Sequence, residues 1–148
     1  MKAPKEFFIR IFNEMIPFHQ TLGLTLEDAS EGYAKVKIPF QSGLIGDPRI
    51  QAIHGGVIAS AMDAAGGIAG STTLTSIDDK ISTIDFRVDF LRSARACDLW
   101  IEGRVTRSGN RIISTQMIAF KEDGTLVAEG RGVYNVSRKG DKKPTVAE

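Results

Sequence analysis

Ile53-His54-Gly55-Gly56-Val57-Ile58-Ala59-Ser60-Ala61-Met62-Asp63 carries more information than any other run of the chain. A His-Gly-Gly turn opens a helix whose side chains from Val57 to Leu74, Asp63 excepted, are aliphatic, Gly, Ala, Met, Ser or Thr. A helix that is apolar all round belongs inside a protein. An ionised carboxylate buried with it is costly unless something specific pairs with it. The start of the helix offers backbone N–H groups without intrahelical partners and the positive end of the helix dipole. Amide donors at one end and a carboxylate two turns along are the parts needed to activate a carbonyl and attack it.

Working outward, alternation takes over. Ala34, Val36, Ile38 and Phe40 fall on one face of an extended segment from Tyr33 to Phe40, with Lys35 and Lys37 on the other. Ile84, Phe86, Val88 and Phe90 alternate in the same way with Asp85, Arg87 and Asp89. Leu99–Arg107 and Arg111–Lys121 read as strands joined through Ser108-Gly109-Asn110. Glu122-Asp123-Gly124 leads into another strand from Thr125 to Val136. Leu22–Ala29 reads as a first short strand, and Gln41–Ala52 as a loop. Phe7–Phe18 has helical spacing that ends around Pro17.

Consecutive hairpins predict an antiparallel sheet. About eighteen helical residues span roughly 27 Å, and strands of about ten residues roughly 33 Å, so the helix can lie along the sheet. The fold class is therefore α+β: a curved antiparallel sheet of five or six strands wrapped around one long helix. Glycines 66, 67 and 70 each cost about 1 kcal/mol of helix propensity relative to Ala, which predicts tight packing against them.

At 148 residues the chain is long enough for one domain with a real core. Residues 1–137 are expected to form it, with 138–148 a flexible basic tail. A net charge of +1 gives no bulk attraction to nucleic acid or membrane, and neither is expected as a partner. Asp63 and the glycines interrupt the one apolar tract, and charges break up the N-terminal run that a signal peptide would need. The single cysteine, Cys97, rules out an intrachain disulfide and reads as structural. Two histidines and one cysteine far apart offer no metal-ligand spacing. A cytoplasmic location is expected.

His54-Gly55-Gly56 with Asp63 nine residues on resembles the signature of the hot-dog-fold acyl-CoA thioesterases, specifically the phenylacetate-pathway type. The resemblance extends more loosely from Leu22 to Val136. It implies hydrolysis of a small or aromatic acyl thioester, with coenzyme A entering as part of the substrate and no separate cofactor. It also implies a homodimer or homotetramer, with Asp63 of one subunit facing the His-Gly-Gly of another.

Under that resemblance Asp63 is the nucleophile or the general base, and the Gly55 N–H polarises the carbonyl. Thr83 matches a strand position where the family places a hydroxyl beside the carboxylate, with Ser82 as its rival. Gly56 gives clearance, and His54 organises the turn. His19 reads as a surface or satisfied core residue. The family commonly has an Asn shortly before the His-Gly-Gly, where this chain has Asp47-Pro48. Asp47 is thus a candidate substrate contact that lacks amide donors and would add negative charge near Asp63. Gln51 stands where many relatives carry Gly. These departures keep open a non-catalytic acyl-CoA or acyl-carrier binding protein on the same fold. A hot-dog hydratase would need a catalytic His with an acidic partner in a motif absent here.

Overall fold

The chain begins with two short helices, α1 (Lys5–Arg10) and α2 (Pro17–Leu22), linked by a π-helical turn at Ile11–Met15. A hairpin of β1 (Thr25–Ser30) and β2 (Tyr33–Ile38) follows, then a small ribbon of β3 (Ile45–Asp47) and β4 (Ala52–Ile53). The central helix α3 (Gly55–Ser71) leads to four long strands: β5 (Lys80–Phe90), β6 (Leu99–Ser108), β7 (Ile112–Phe120) and β8 (Leu126–Ser137). This is a computed structural model, and it describes residues 3–141.

Six strands form one antiparallel sheet in the order β1-β2-β6-β7-β8-β5, and α3 packs across all of them. This is the α+β hot-dog architecture expected from the sequence. Ala34, Val36 and Ile38 are fully buried, as their alternation requires. From α3, Ile58, Ala61, Met62, Ala65, Ile68 and Ala69 enter the same core. Close approach explains the helix glycines. A Cβ on Gly66 would collide with the Tyr134 hydroxyl and come within 2.8 Å of Thr115 Oγ1. From the sheet side, a Cβ on Gly103 would sit 2.7 Å from the Ala65 carbonyl oxygen.

Four details differ from the sequence expectation. Pro17 does not simply end a helix: the chain is extended at Ile16, and Pro17 opens α2 as its first residue, where its missing N–H costs nothing. The segment 41–52 is not all loop, since it holds a 3-10 turn (Ser42–Leu44) and the β3–β4 ribbon. Ile84, Phe86 and Phe90 do not enter the core: they are 56%, 38% and 54% exposed. The physical cause is position, because β5 is the last strand of the sheet and a bulge between Thr83 and Asp85 breaks its alternation. Finally, the basic tail starts with an anchor. Arg138 Nη1 donates to Asp79 Oδ2 at 3.0 Å, and the Lys139 amide donates to Asp79 Oδ1 at 3.1 Å. Residues 142–148 of the expected tail lie outside the described residues.

Candidate active site

The register of the sheet builds the surroundings of Asp63. Thr83 on β5 and Tyr134 on β8 are cross-strand partners, so their side chains emerge on one face, here toward α3. Thr83 Oγ1 donates to Asp63 Oδ1 at 2.9 Å. The Tyr134 hydroxyl donates to the Asp63 backbone carbonyl at 3.0 Å and lies 3.4 Å from Oδ1. Burial, then the nearby Asp63 charge, pushes the Tyr134 phenol well above its ordinary pKa, so it stays protonated and remains a donor. The carboxylate is thus held from two strands, with both side-chain contacts on Oδ1.

Asp63 opens into a cavity of about 290 Å³ lined by Ile11, Ile16, His19, Gly67, Ile81 and Ser82, among others. His19 is buried and stacks on Phe12 with ring centroids 3.9 Å apart. Its Nδ1 lies 3.2 Å from the Phe12 carbonyl, and since a carbonyl only accepts, Nδ1 carries the proton. Desolvation lowers the His19 pKa, against the Phe12 hydrogen bond and the Asp63 charge that raise it, and the ring is neutral at pH 7. His19 is the satisfied core residue of the two sequence alternatives, and it also forms a wall of the Asp63 cavity. Tyr134 carries no local signal of its place in the site, because only the strand order brings it beside Asp63.

At the other end of the helix, His54 is the N-cap. Its Nδ1 accepts from the Gly56 amide at 2.8 Å, and its carbonyl accepts from Val57 N–H at 3.0 Å. That leaves the Gly55 amide, which as the first helical residue has no carbonyl one turn back to bond. Gly55 opens into a different pocket, with Phe90, Leu91 and Arg92. A Cβ on Gly55 would lie 3.2 Å from the Phe90 ring. Gly55 and Asp63 are eight residues apart, or roughly 12 Å along the helix. One chain therefore does not present both groups to one carbonyl.

Within one chain Asp47 pairs with its neighbour Arg49 rather than lining the Asp63 cavity. Its Oδ1 accepts from Arg49 Nε at 3.0 Å and from the Arg49 amide at 3.0 Å, and its Oδ2 from Nη2 at 2.8 Å. The Arg49 contact holds its carboxyl below the usual range. Gln51 adopts φ 56°, the left-handed region that favours glycine, and its Nε2 donates to the Pro48 carbonyl at 3.0 Å. Cys97 is half-buried, and burial pushes its thiol up, which suits a structural thiol better than a nucleophile.

The comparisons with known proteins agree with this architecture. The Thioesterase superfamily family model matches residues 51–128, from the β3–β4 ribbon through α3 into β8. The medium/long-chain acyl-CoA thioesterase YigI of Salmonella typhimurium is 32% identical over 133 residues, covering 82% of this chain and 86% of that protein. YigI of Escherichia coli is 31% identical with the same coverage. A crystal structure from Shewanella oneidensis, described as related to the thioesterase superfamily, is 33% identical with a TM-score of 0.80. It covers 89% of this chain and 94% of its own. With α3 against a six-stranded antiparallel sheet and more than half the chain inside the family match, the protein belongs to the thioesterase superfamily and is a thioester hydrolase.

Proposed function

We propose that the protein hydrolyses acyl-CoA thioesters at a site shared by two copies of the chain, Asp63 from one and the Gly55 N–H from the other. The observation that carries this reading is the separation of the two groups on α3. They open into different pockets of one chain, and β5 runs past both.

Thr83, near the start of β5, touches Asp63, and Phe90, at its end, lies beside Gly55. β5 is a long strand with a free edge and apolar groups in solvent, the kind of edge that pairs with another chain. Antiparallel pairing of β5 with its copy, about a two-fold axis between Phe86 and Arg87, sets Thr83 of one chain opposite Phe90 of the other. Asp63 then faces the partner's helix start. The pairing also covers Ile84, Phe86 and Phe90. A homodimer is the smallest assembly that completes the site, and two dimers back to back would give a homotetramer.

In this arrangement the thioester carbonyl oxygen accepts from Gly55 N–H at the positive end of a helix. Asp63 either attacks the carbonyl carbon to form a mixed anhydride that water opens, or takes a proton from the attacking water. Both routes pass through a tetrahedral oxyanion and expel the coenzyme A thiolate, which then takes a proton. Thr83 fixes the carboxylate. His54 holds the turn and occupies the Gly56 amide, so the Gly55 amide is the free donor. Coenzyme A enters with the substrate, and the chemistry asks for no further cofactor. Such substrates suit a cytoplasmic enzyme. The His-Gly-Gly likeness to phenylacetate-pathway enzymes favours a small or aromatic acyl group, while the names of the YigI relatives favour a longer aliphatic one.

Free-thiol release from a panel of acyl-CoA substrates tests the reading. Asp63→Asn is expected to lower kcat by about 10³-fold with KM nearly unchanged, so that kcat and kcat/KM fall together. A well-folded Asp63→Asn protein with wild-type kcat would refute the assignment.

A further inference from the structure

The Asp63 cavity shares part of its wall with a neighbouring space. Ile11, Ile68, Ser71 and Ile81 line it and also line a second, half-open cleft of about 180 Å³ under the N-terminal helices. The far side of that cleft is made by Phe7, Phe8, Leu74 and Ile77. The four shared residues, three of them isoleucines, stand between the Asp63 compartment and the apolar cleft, where a ligand chain could pass between them as through a collar. Ile77 stands at the mouth of the second one and is 68% exposed, an aliphatic side chain in water beside a cleft that a hydrocarbon would fill. Close-packed interiors do not leave apolar space of this kind without cost.

We propose that the acyl chain runs from Asp63 through this collar into the cleft beneath α1. The preferred substrates are then straight aliphatic chains of about ten carbons or more, and residues 7–11 and 68–81 set the chain length. This rests on the thioesterase reading above and names its substrate class. Asp63 and Ser71 are eight helical residues apart, about 12 Å. An alkyl zigzag with bonds of about 1.5 Å advances only about 1.25 Å per bond, so about ten carbons cover that distance and shorter chains stop before Ser71. The π-helical turn places Ile11 in the collar while Phe8 and Phe12 stay in the core, a local irregularity of the sort found at functional sites.

A fixed anchor defines the far compartment. Asp79, one of its lining residues, has a 3% exposed side chain and is bound by Arg138, Lys139 N and Ser76 N. The loop carrying Leu74 and Ile77 is thereby tied to the end of β8. The compartment's wall is held rather than loose.

The test compares kcat/KM for acetyl-, butanoyl-, octanoyl-, dodecanoyl- and phenylacetyl-CoA in the wild type and two variants. Ser71→Phe fills the collar. It should lower dodecanoyl-CoA turnover about a hundredfold and leave butanoyl-CoA within about twofold. Ile77→Asp changes an exposed residue, so folding is not at stake. It should lower dodecanoyl-CoA about tenfold and spare octanoyl-CoA. Hydrolysis of none of these thioesters by the wild type would refute the thioesterase reading and this proposal with it. Hydrolysis with no preference for long chains, a preference for phenylacetyl-CoA, or a chain-length profile that both variants leave unchanged would overturn this proposal alone.

Discussion

Asp63 and Gly55 stand on the same helix, yet their surroundings are built differently. Asp63 is gripped from two strands, by Thr83 at 2.9 Å and by Tyr134, beside a cavity whose lining includes the buried His19 and Ile68. Gly55 has only the His54 cap on the neighbouring amide and the edge-strand ring of Phe90. The carboxylate proposed to attack is held in place within one chain, whereas the amide proposed to polarise the carbonyl lies beside the sheet edge. The difference is what the proposed shared site requires: one chain holds the carboxylate in place, and the exposed edge of β5 is the surface at which a second copy would bring the donor.

The comparison is broken most directly by removing the donor without moving the helix. Gly55→Pro deletes one N–H. Proline suits the first helical position, and His54 already has the extended backbone (ψ 132°) that a residue before proline prefers. Gly55→Ala is the control, because it adds the same Cβ near Phe90 and keeps the N–H. Gly55→Pro should have a kcat about 10²–10³-fold below that of Gly55→Ala. Equal steady-state rates for the two would remove Gly55 from the mechanism.

Thr83→Val sharpens the other half. The hydroxyl is on an exposed strand, so stability should change little while the grip on the carboxylate is lost. A hydrogen bond to a charged group is worth about 1.5–3 kcal/mol, and a loss in kcat/KM of about tenfold or somewhat more is expected. An unchanged kcat/KM would mean that the Tyr134 contact alone positions Asp63.

The smallest effect concerns His19, which ties the N-terminal helices to the Asp63 cavity. Its folded pKa lies below the ordinary 6.5, so the unfolded chain takes up the proton first. Stability should therefore fall as pH drops below about 6.5 toward the folded pKa. His19→Asn keeps a donor for the Phe12 carbonyl without a titrating ring. Denaturant unfolding at pH about 7.5 and about 5.5 should show a loss of stability in the wild type that is flattened in His19→Asn. Identical slopes would assign the acid sensitivity to other groups.

The sequence made α3 legible because its apolar character is continuous and its cap is local. The strands were legible because alternation is a period-two signal that needs no partner. The same signal failed to say what covers the apolar face of β5. Ile84, Phe86 and Phe90 read as core, and alternation is identical whether the cover is the chain's own helix or a second copy. Thr83 was within reach of a local reading, but Tyr134 was not, since their pairing depends on β8 lying next to β5 across 51 residues of sequence (134 − 83). Asp47 read as a site residue from its place before the His-Gly-Gly. Its pairing with Arg49, two residues on, was not legible, because it depends on the turn that brings the two together.

The most direct measurement is subunit complementation. Asp63→Asn and Gly55→Pro proteins, each nearly inactive alone, are mixed at equal concentration, dissociated and allowed to reassociate. If each site takes Asp63 from one chain and Gly55 from the other, a mixed dimer contains one intact pair and one doubly damaged pair. Random reassociation should then restore about a quarter of wild-type thioesterase activity per chain. A mixture no more active than the mean of its two components would contradict the shared site.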